Sequence, residues 1–314
     1  MRIGITGATG TLGKRLTSKL IDEDNRVFAL CRNKDSAIVK LGSSVEFIEG
    51  DITKEDTLEP FVKDLDVCIH LAAQVNHADK SRYWEVNVKG TKNLCNAIIE
   101  TNKKCRLIYC SSIAVLRFNE MKTNYSMSKA EGEEIVKSMM NKGLAATIIY
   151  SGLIYGPGDN RFVPHIVNGL KSGSIPLVSG GESWAPVIYI DDLCELFIKS
   201  SQSEYAIGKS FLGIQQTSAG IHDFIRIIAE QSGYPVPKRK LPKSGLLLIA
   251  KVMEWFYSLP FVKGDSPINK RIVDILTINY HPSSFDNEDQ LGWKPRVSMK
   301  SGIEAFFSGK GLYN

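Results

Sequence analysis

Short apolar runs alternate with amphipathic segments through the first half of the chain. The β-rich runs are Arg2–Thr6, Arg26–Cys31, Val45–Glu49, Val67–Leu71, Leu107–Cys110 and Ala146–Tyr150. Segments with helical periodicity lie between them, at about 13–24, 54–64, 81–101 and 124–141. Continuous apolar strands that alternate with helices are typical of a parallel sheet covered on both faces. The pattern therefore predicts an α/β fold built on a doubly wound parallel sheet.

The pattern changes after about residue 155, where turn residues interrupt the chain. Strands are predicted at Val187–Ile190 and Ser210–Ile214, and helices from Asp191 and at 220–232, 245–258 and 266–279. We expect two domains. The first contains residues 1–160 and about 186–216, and the second, smaller and partly discontinuous, contains about 161–185 and 217–314.

A glycine-rich turn joins the first strand to the first helix. Residues 6–13 read TGATGTLG, so that glycines recur with the spacing G-x-x-G-x-x-G. Such a turn lets the backbone approach a pyrophosphate, and the following helix supplies N–H donors and a positive dipole end. The predicted phosphate-binding residues are Gly7, Thr9, Gly10, Thr11, Leu12 and Gly13. The first domain is therefore expected to bind a dinucleotide.

The end of the second strand indicates which dinucleotide. Arg32 follows this strand, where a carboxylate would bind the ribose 2′-hydroxyl of NAD and an arginine suits the 2′-phosphate of NADP. Arg15 or Lys34 would supply a second cation. The sequence favours NADP, with NAD as the alternative.

A Tyr-x-x-x-Lys unit occurs three times, and position separates the three. Tyr234 and Lys238 enclose two prolines, and Tyr205 and Lys209 fall on a turn ahead of a strand. Tyr125 and Lys129 alone begin a long helix, where i and i+4 side chains share a face.

This geometry suits proton transfer at neutral pH. A lysine beside Tyr125 would favour the phenolate, and Ser111 or Ser112, at the end of the preceding strand, would hydrogen-bond the reacting oxygen. The predicted catalytic residues are Tyr125, Lys129 and one of the two serines, and no metal ligand set is predicted.

These elements, in this order, resemble the extended short-chain dehydrogenase/reductase family, the NAD-dependent epimerase/dehydratase group. The segments that carry the resemblance are Thr6–Gly13, Gly50–Ile52, His70–Ala73, Asn87–Thr91, Cys110–Ser112, Tyr125–Lys129, Tyr155–Asp159, Val187–Asp192 and Leu291–Pro295. The resemblance implies a Rossmann-type fold over nearly the whole chain and selects Ser112 over Ser111. It further implies cofactor contacts from Asp51, Ile52, Leu71, Ala72, Ala73, Asn87, Lys129 and Ser151.

Two departures from the family pattern affect the expected activity. Tyr150 and Ser151 replace an Arg-Pro pair, and only twelve residues separate Ser112 from Tyr125. Arg32 and the apolar segment 245–257 look more like the dihydroflavonol-reductase and 3β-hydroxysteroid-dehydrogenase branch than the sugar epimerases.

We expect hydride transfer at a secondary alcohol or ketone. The alternatives are a nucleotide-sugar epimerase with tightly bound NAD and a non-catalytic dinucleotide sensor. A dehydratase is disfavoured because Glu120 is the one acid between the serines and Tyr125.

The composition indicates the partners and the compartment of the protein. A net charge of +5 without a long basic run gives no nucleic-acid footprint, and the partner expected is a small-molecule substrate. Six cysteines in apolar runs, without a Cys-x-x-Cys pair, indicate free thiols in a reducing compartment. No segment has the length of a membrane span, so a cytoplasmic protein is expected. The helices at 81–101 and 124–141 are expected to pair in a homodimer. The segment 245–257 is read as domain core, with a substrate lid as the alternative.

Overall fold

The structure is a computed structural model of the 314-residue chain. It describes residues 1–76, 78–116, 122–178, 184, 186–215, 220–238, 240–257, 259, 270, 273 and 291–309. The segment 266–279, for which a helix was expected, therefore lies outside the described residues except at 270 and 273, and so does Glu120.

The described residues fall into two compact units. The first contains those within Met1–Gly152, Ile190–Ile214 and Phe285–Arg296, and the second those within Leu153–Tyr189, Gln215–Ser284 and Val297–Asn314. The chain thus leaves the first unit after Gly152 and returns to it at Ile190.

The strands, in chain order, are short. They are β1 (Arg2–Thr6), β2 (Arg26–Cys31), β3 (Glu46–Glu49), β4 (Val67–His70), β5 (Arg106–Ser112), β6 (Ala146–Ser151), β7 (Leu153–Tyr155), β8 (Leu177–Val178), β9 (Val187–Tyr189), β10 (Ser210–Gly213) and β11 (Lys240–Leu241). The helices of the described residues are α1 (Thr11–Asp22), α2 (Lys34–Leu41), α3 (Glu59–Val62), α4 (Ser81–Trp84), α5 (Thr91–Thr101), α6 (Ile113–Leu116), α7 (Asn124–Met140), α8 (Phe162–Lys171), α9 (Ile190–Gln202), α10 (Ile221–Ser232), α11 (Lys243–Tyr257) and α12 (Met299–Ser308).

The first unit is built on one seven-stranded parallel sheet. Its strand order is β10-β6-β5-β4-β1-β2-β3, and every neighbouring pair is parallel. The strand order reverses direction between β1 and β4, as in Rossmann-type folds, where ligands bind outside the carboxyl ends of the strands at such a point. The predicted fold class is confirmed.

The expected helices at 54–64 and 81–101 differ from those of the structure. The first is a 3₁₀ turn, Glu55–Thr57, followed by α3, and Pro60 lies in the first turn of that helix. The second is divided by a π-helical stretch, Glu85–Gly90, between α4 and α5. Such a stretch inserts an extra residue into a helix and occurs often at functional sites. Periodicity alone does not reveal either interruption.

The second unit contains two two-stranded sheets, β7 with β9 and β8 with β11, and the helices α8, α10, α11 and α12. A cluster of buried apolar residues fills its centre, with Tyr155, Tyr189 and Phe224 among the largest. Gly302 of α12 packs so closely on Tyr155 and Tyr189 that a methyl group there would overlap both rings.

Helix α11 buries little of its apolar surface. Leu246 and Ala250 are buried, whereas Leu248, Val252 and Phe256 are exposed. Domain core alone therefore does not account for the apolar composition of this helix. Among the described residues, no helix combines the length and the hydropathy that a membrane span needs.

Candidate functional site

All the predicted site residues lie in the first unit, at or after the carboxyl ends of its strands or on helices that follow them. In a parallel sheet these ends meet at one edge. Strand pairing brings Thr6 beside His70, His70 beside Tyr109, and Ser112 beside Ser151.

The glycine-rich turn leads from β1 into α1. Gly7 has φ +75°, a conformation that L side chains rarely adopt, and a Cβ there would lie 2.7 Å from the backbone nitrogen of Ala72. A Cβ at Gly13 would overlap the carbonyl oxygen of Gly7. These two glycines are required by the turn and by the close packing of α1 on it.

Gly10 differs from the other two glycines. It is exposed, its φ of −75° is ordinary, and a Cβ there would meet only the Gly7 carbonyl, at 3.2 Å. Gly10 caps α1 without a side-chain hydrogen bond, and no acidic residue lies in the first turn. The first N–H groups of α1 are therefore free of side-chain caps, and the cradle over Gly10 is open. Both features fit the pyrophosphate of a dinucleotide.

The other residues of this loop have different exposures. Thr9 and Thr11 are partly exposed beside Gly10, while Leu12 is buried. The two threonines can therefore face a ligand, whereas Leu12 can contribute only its backbone.

The ends of β2 and β3 provide the residues expected at the adenosine part of the cofactor. Arg32 is exposed and hydrogen-bonds to no other described residue. Although partial burial opposes it, hydrogen bonds from Thr53 and the charges of Arg32 and Lys54 hold the pKa of Asp51 below its usual value. Asp51 therefore carries a negative charge near the cation of Arg32.

Two neighbouring residues behave differently from Arg32. Ile52 is buried, and its carbonyl accepts a hydrogen bond from the Asn93 amide at 3.1 Å. Arg15 forms a two-point ion pair with buried Asp191 of α9, at 2.5 and 2.9 Å. The guanidinium of Arg15, which with Lys34 was an alternative second cation for a 2′-phosphate, is thus paired with Asp191 through Nε and Nη2.

The loop after β4 is anchored by a chain of buried polar groups. His70 lies between two hydroxyls, with its Nδ1 2.7 Å from Thr6 and its Nε2 3.0 Å from Thr91. The Thr6 hydroxyl accepts the backbone N–H of Ala72 at 3.2 Å, and the backbone N–H of Leu71 donates to the Thr6 carbonyl at 3.1 Å. The predicted segment Leu71, Ala72 and Ala73 is thus fixed to β1 and is partly exposed.

Asn87 lies in the π-helical stretch, and its amide is fully engaged. Its Oδ1 accepts the backbone N–H of Gln74 at 2.7 Å, and its Nδ2 donates to the Gln74 carbonyl at 3.0 Å and to Ser128 Oγ at 2.9 Å. Ser128 in turn donates to the carbonyl of Tyr125. Asn87 therefore holds the loop after β4 against the start of α7.

Helix α7 begins at a well-formed cap and carries Tyr125 and Lys129. Thr123 and Ser126 exchange the two hydrogen bonds of a capping box. The ammonium of Lys129 is buried and donates to the Tyr109 hydroxyl at 2.9 Å and to the Cys110 carbonyl at 2.7 Å. Burial lowers the pKa of Lys129 to about 8, although Cys110 and Glu133 oppose this.

The two serines of the expected site lie on the ends of β5 and β6. Ser112 Oγ accepts the backbone N–H of Ala114 at 3.2 Å, and Ser151 Oγ donates to the carbonyl of Gly152 at 3.0 Å. β5 continues to Ser112, two residues beyond its expected end.

Sequence reasoning missed Glu133, a carboxylate that is 1% exposed on α7. It accepts hydrogen bonds from Ser111 at 2.5 Å and from Tyr150 at 2.7 Å, and it pairs with Lys137 at 2.9 Å. Its spacing of four residues from Lys129 was the available signal. An acidic residue on a charged helix is usually solvated, and only the packing of β5 and β6 against α7 shows otherwise.

This chain is similar to known proteins in sequence and in structure. The model of the NAD dependent epimerase/dehydratase family matches residues 3–210. The 3beta-hydroxysteroid-dehydrogenase/decarboxylase isoform 1 of Arabidopsis thaliana is 26% identical in an alignment 288 residues long, which covers 83% of this chain and 65% of the plant protein. The chain thus spans just under two thirds of that relative.

A second relative and a solved structure cover more of both chains. The decarboxylating sterol-4-alpha-carboxylate 3-dehydrogenase of Schizosaccharomyces pombe is 26% identical in an alignment 328 residues long, which covers 94% of this chain and 93% of that protein. The Bordetella bronchiseptica enzyme WbmF, solved with NAD⁺ and UDP, has a TM-score of 0.72 at 18% identity, covering 98% of this chain and 91% of that one. With the family model matching about two thirds of its residues, this chain belongs to the NAD dependent epimerase/dehydratase family.

Proposed function

We propose that this chain transfers a hydride between a nicotinamide dinucleotide and a secondary alcohol or ketone, with Tyr125 as acid and base. One observation carries the proposal: the helix that holds Tyr125 and Lys129 packs on the end of β5 beside Ser112, at the same sheet edge as the glycine-rich turn. The bound cofactor would supply the hydride, and the chain supplies the proton and the geometry.

Each of the three residues has one task in this proposal. In reduction, the Tyr125 hydroxyl gives its proton to the carbonyl oxygen of the substrate, and the Ser112 hydroxyl donates a hydrogen bond to the same oxygen. The Lys129 ammonium stabilises the phenolate that remains. Lys129 uses two of its three N–H groups on described residues, which leaves one donor for a ribose hydroxyl of the cofactor. The hydrogen bonds from Asn87 to Ser128 and from Ser128 to the carbonyl of Tyr125 fix the position of the Tyr125 backbone.

Tyr125→Phe tests the assignment. We expect at least a hundredfold fall in kcat for oxidation of the reduced cofactor, because the proton donor is lost while the ring remains. Tyr205→Phe is the matched control, since Tyr205 also precedes a lysine by four residues but is 51% exposed. Full turnover in Tyr125→Phe would overturn the proposal.

The substrate class is proposed from the relatives. Both relatives named above act, by their names, on a hydroxysteroid or a sterol carboxylate. We therefore propose a ketone or secondary alcohol on a lipophilic skeleton. A panel containing a 3-hydroxysteroid, a dihydroflavonol and UDP-glucose, assayed for net consumption of cofactor, distinguishes a reductase from an epimerase, which regenerates its cofactor.

We also propose that the cofactor is NADP. Arg32 supports this, because its exposed guanidinium lies at the end of β2 and hydrogen-bonds to no other described residue. Arg32→Ala should weaken NADPH binding about tenfold or more and leave NADH binding nearly unchanged. Lys40→Ala, which removes an exposed cation from the last turn of α2, is the control. A tenfold preference of the wild type for NADH would contradict the proposal.

Two further expectations belong to the same proposal. All six cysteines are free and five are buried, which supports a reducing compartment such as the cytoplasm. Pairing of the surfaces of α5 and α7 in a homodimer is proposed from the sequence alone, and light scattering on the purified chain measures it.

A further inference from the structure

Helix α7 carries three charged residues spaced four apart: Lys129, Glu133 and Lys137. They lie along one face of the helix. Lys129 takes part in the proposed chemistry and Lys137 is 45% exposed, but Glu133 is buried and has no part in the proposed proton transfer. A buried carboxylate is costly unless it is paired, so its retention calls for an explanation.

Glu133 connects α7 to two strands at the level of the site. Ser111 donates to one carboxylate oxygen, and Tyr150 donates to the other. These two residues are paired in register across β5 and β6, and each directly precedes a serine of the expected site, Ser112 or Ser151. The carboxylate therefore fixes both strand ends relative to the helix that carries Tyr125.

Glu133 also acts on the charge of Lys129. The groups that interact with the Lys129 ammonium are Tyr109 and Cys110 on β5, neutral His70 on β4, and Glu133 on its own helix. Among the described groups that influence the pKa of Lys129, Glu133 is the one carboxylate, and it works against the burial that lowers this pKa. Lys137 weakens this effect because it pairs with Glu133 from the solvent side.

We propose that Glu133 is a positioning residue of the site, whose negative charge keeps the Lys129 ammonium protonated and whose two oxygens hold the strand ends that carry Ser112 and Ser151. The inference deepens the proposed function, since it gives Glu133 a task through Lys129. It concerns this chain's own charges, so it can be tested without cofactor or substrate.

The test is the titration of Lys129, followed by nuclear magnetic resonance in protein labelled at the lysine side-chain carbon Cε. The Lys129 signal is assigned by its loss in Lys129→Arg. Glu133→Gln should lower the midpoint by about one pH unit, because a nearby opposite charge is removed. Glu134→Gln, which removes an exposed carboxylate that also pairs with Lys137, should leave it unchanged. An unchanged midpoint in Glu133→Gln would overturn the inference.

A second variant covers the case in which Glu133→Gln does not fold. Lys137→Met removes the partly exposed cation that competes for Glu133, so the Lys129 midpoint should rise. A fall or no shift in Lys137→Met contradicts the inference. Glu133→Asp retains the charge, and its Lys129 midpoint should lie closer to the wild-type value than that of Glu133→Gln.

Turnover then distinguishes this inference from the proposed function. If Lys129 must be charged, the alkaline limb of kcat in Glu133→Gln moves to lower pH by the same amount as the titration midpoint. A shifted titration with an unshifted kcat profile would overturn the catalytic part of the inference and keep the charge coupling. Full turnover in Tyr125→Phe bears on the proposed function alone, because the titration does not depend on it.

Discussion

Two hydroxyl groups, whose other hydrogen bonds fix their direction, select the tautomer of neutral His70. The Thr91 hydroxyl donates a hydrogen bond to the Asn87 carbonyl at 2.7 Å, so its oxygen accepts one from the Nε2–H of His70. Thr6 accepts the backbone N–H of Ala72, so its own proton is available for His70 Nδ1. A second ring proton would face the Thr6 hydroxyl. Burial, together with the charge of Lys129, lowers the pKa of His70 to about 3.

This neutral histidine predicts acid sensitivity. Between pH 6.5 and about 3 the unfolded chain binds a proton at His70 that the folded chain does not, so stability falls as pH decreases. At pH 5 this difference in proton binding lowers the free energy of unfolding by about 2 kcal/mol. Urea unfolding at pH 7 and pH 5 measures the decrease in the free energy of unfolding between the two pH values. This decrease should be smaller by about this amount in His70→Gln than in the wild type. An identical pH dependence in both proteins would contradict the assignment.

At the scale of elements, the turn between β1 and α1 separates two kinds of glycine. Gly7 and Gly13 are needed by the protein itself, because a Cβ at either would overlap backbone atoms. Gly10 has space for a methyl group with only a small adjustment of the Gly7 carbonyl. The motif alone shows three equivalent glycines, and only the folded turn distinguishes their roles.

Two alanine substitutions test this division. Gly13→Ala should destabilise the protein by about 1–3 kcal/mol, since α1 must move away from the turn. Gly10→Ala should retain a melting temperature close to that of the wild type and weaken binding of the dinucleotide about tenfold or more, because its methyl group occupies the approach of the pyrophosphate. Thermal unfolding and fluorescence titration with NADPH and NADH measure the two effects. Equal loss of stability in both variants would contradict the division.

At the scale of the molecule, an ion pair between residues 176 positions apart links distant segments of the first unit. Arg15 of α1 binds Asp191 of α9 at two points, and Lys19 lies 3.9 Å from the same carboxylate. The Asp191 side chain is fully buried. Trp293, also buried, donates to the carbonyl of Asp192 at 3.0 Å. Arg15 and Lys19 thus join the segment Ile190–Ile214 to the first 152 residues, and Trp293 joins the segment Phe285–Arg296 to Ile190–Ile214.

Arg15→Met should therefore destabilise the protein strongly. Among the cations of the described residues, it leaves buried Asp191 with the more distant Lys19, and breaking such a pair costs about 3–5 kcal/mol. Lys14→Met removes an exposed cation next to Arg15 and should change the free energy of unfolding by less than about 0.5 kcal/mol. Urea unfolding of the two variants provides the comparison. Equal stabilities would show that the ion pair adds nothing.

Much of the first unit was predictable from the sequence, because its signals are local. Apolar runs of five or six residues predict buried strands, and the glycine spacing predicts the turn into α1. The capped start of α7 places Tyr125 and Lys129 on one face through helix geometry alone. α8 was missed although Val163, Ile166 and Leu170 recur at helical spacing and are buried. The interruption at Glu85–Gly90 was missed because it has no clear local signal.

The tertiary structure alone decided how these residues act on one another. Arg15 was named in the sequence analysis as a cation that could assist Arg32, yet it pairs with Asp191 of α9, a helix that returns to the first unit after the segment Leu153–Tyr189 has left it. Glu133 reads as a surface residue until β5 and β6 bring Ser111 and Tyr150 to it. The sequence by itself determined the elements and the residue types at the sheet edge, because these follow from backbone and side-chain preferences over a few residues. Burial and pairing determine the charges at the site, and both arise only when distant segments exclude water together.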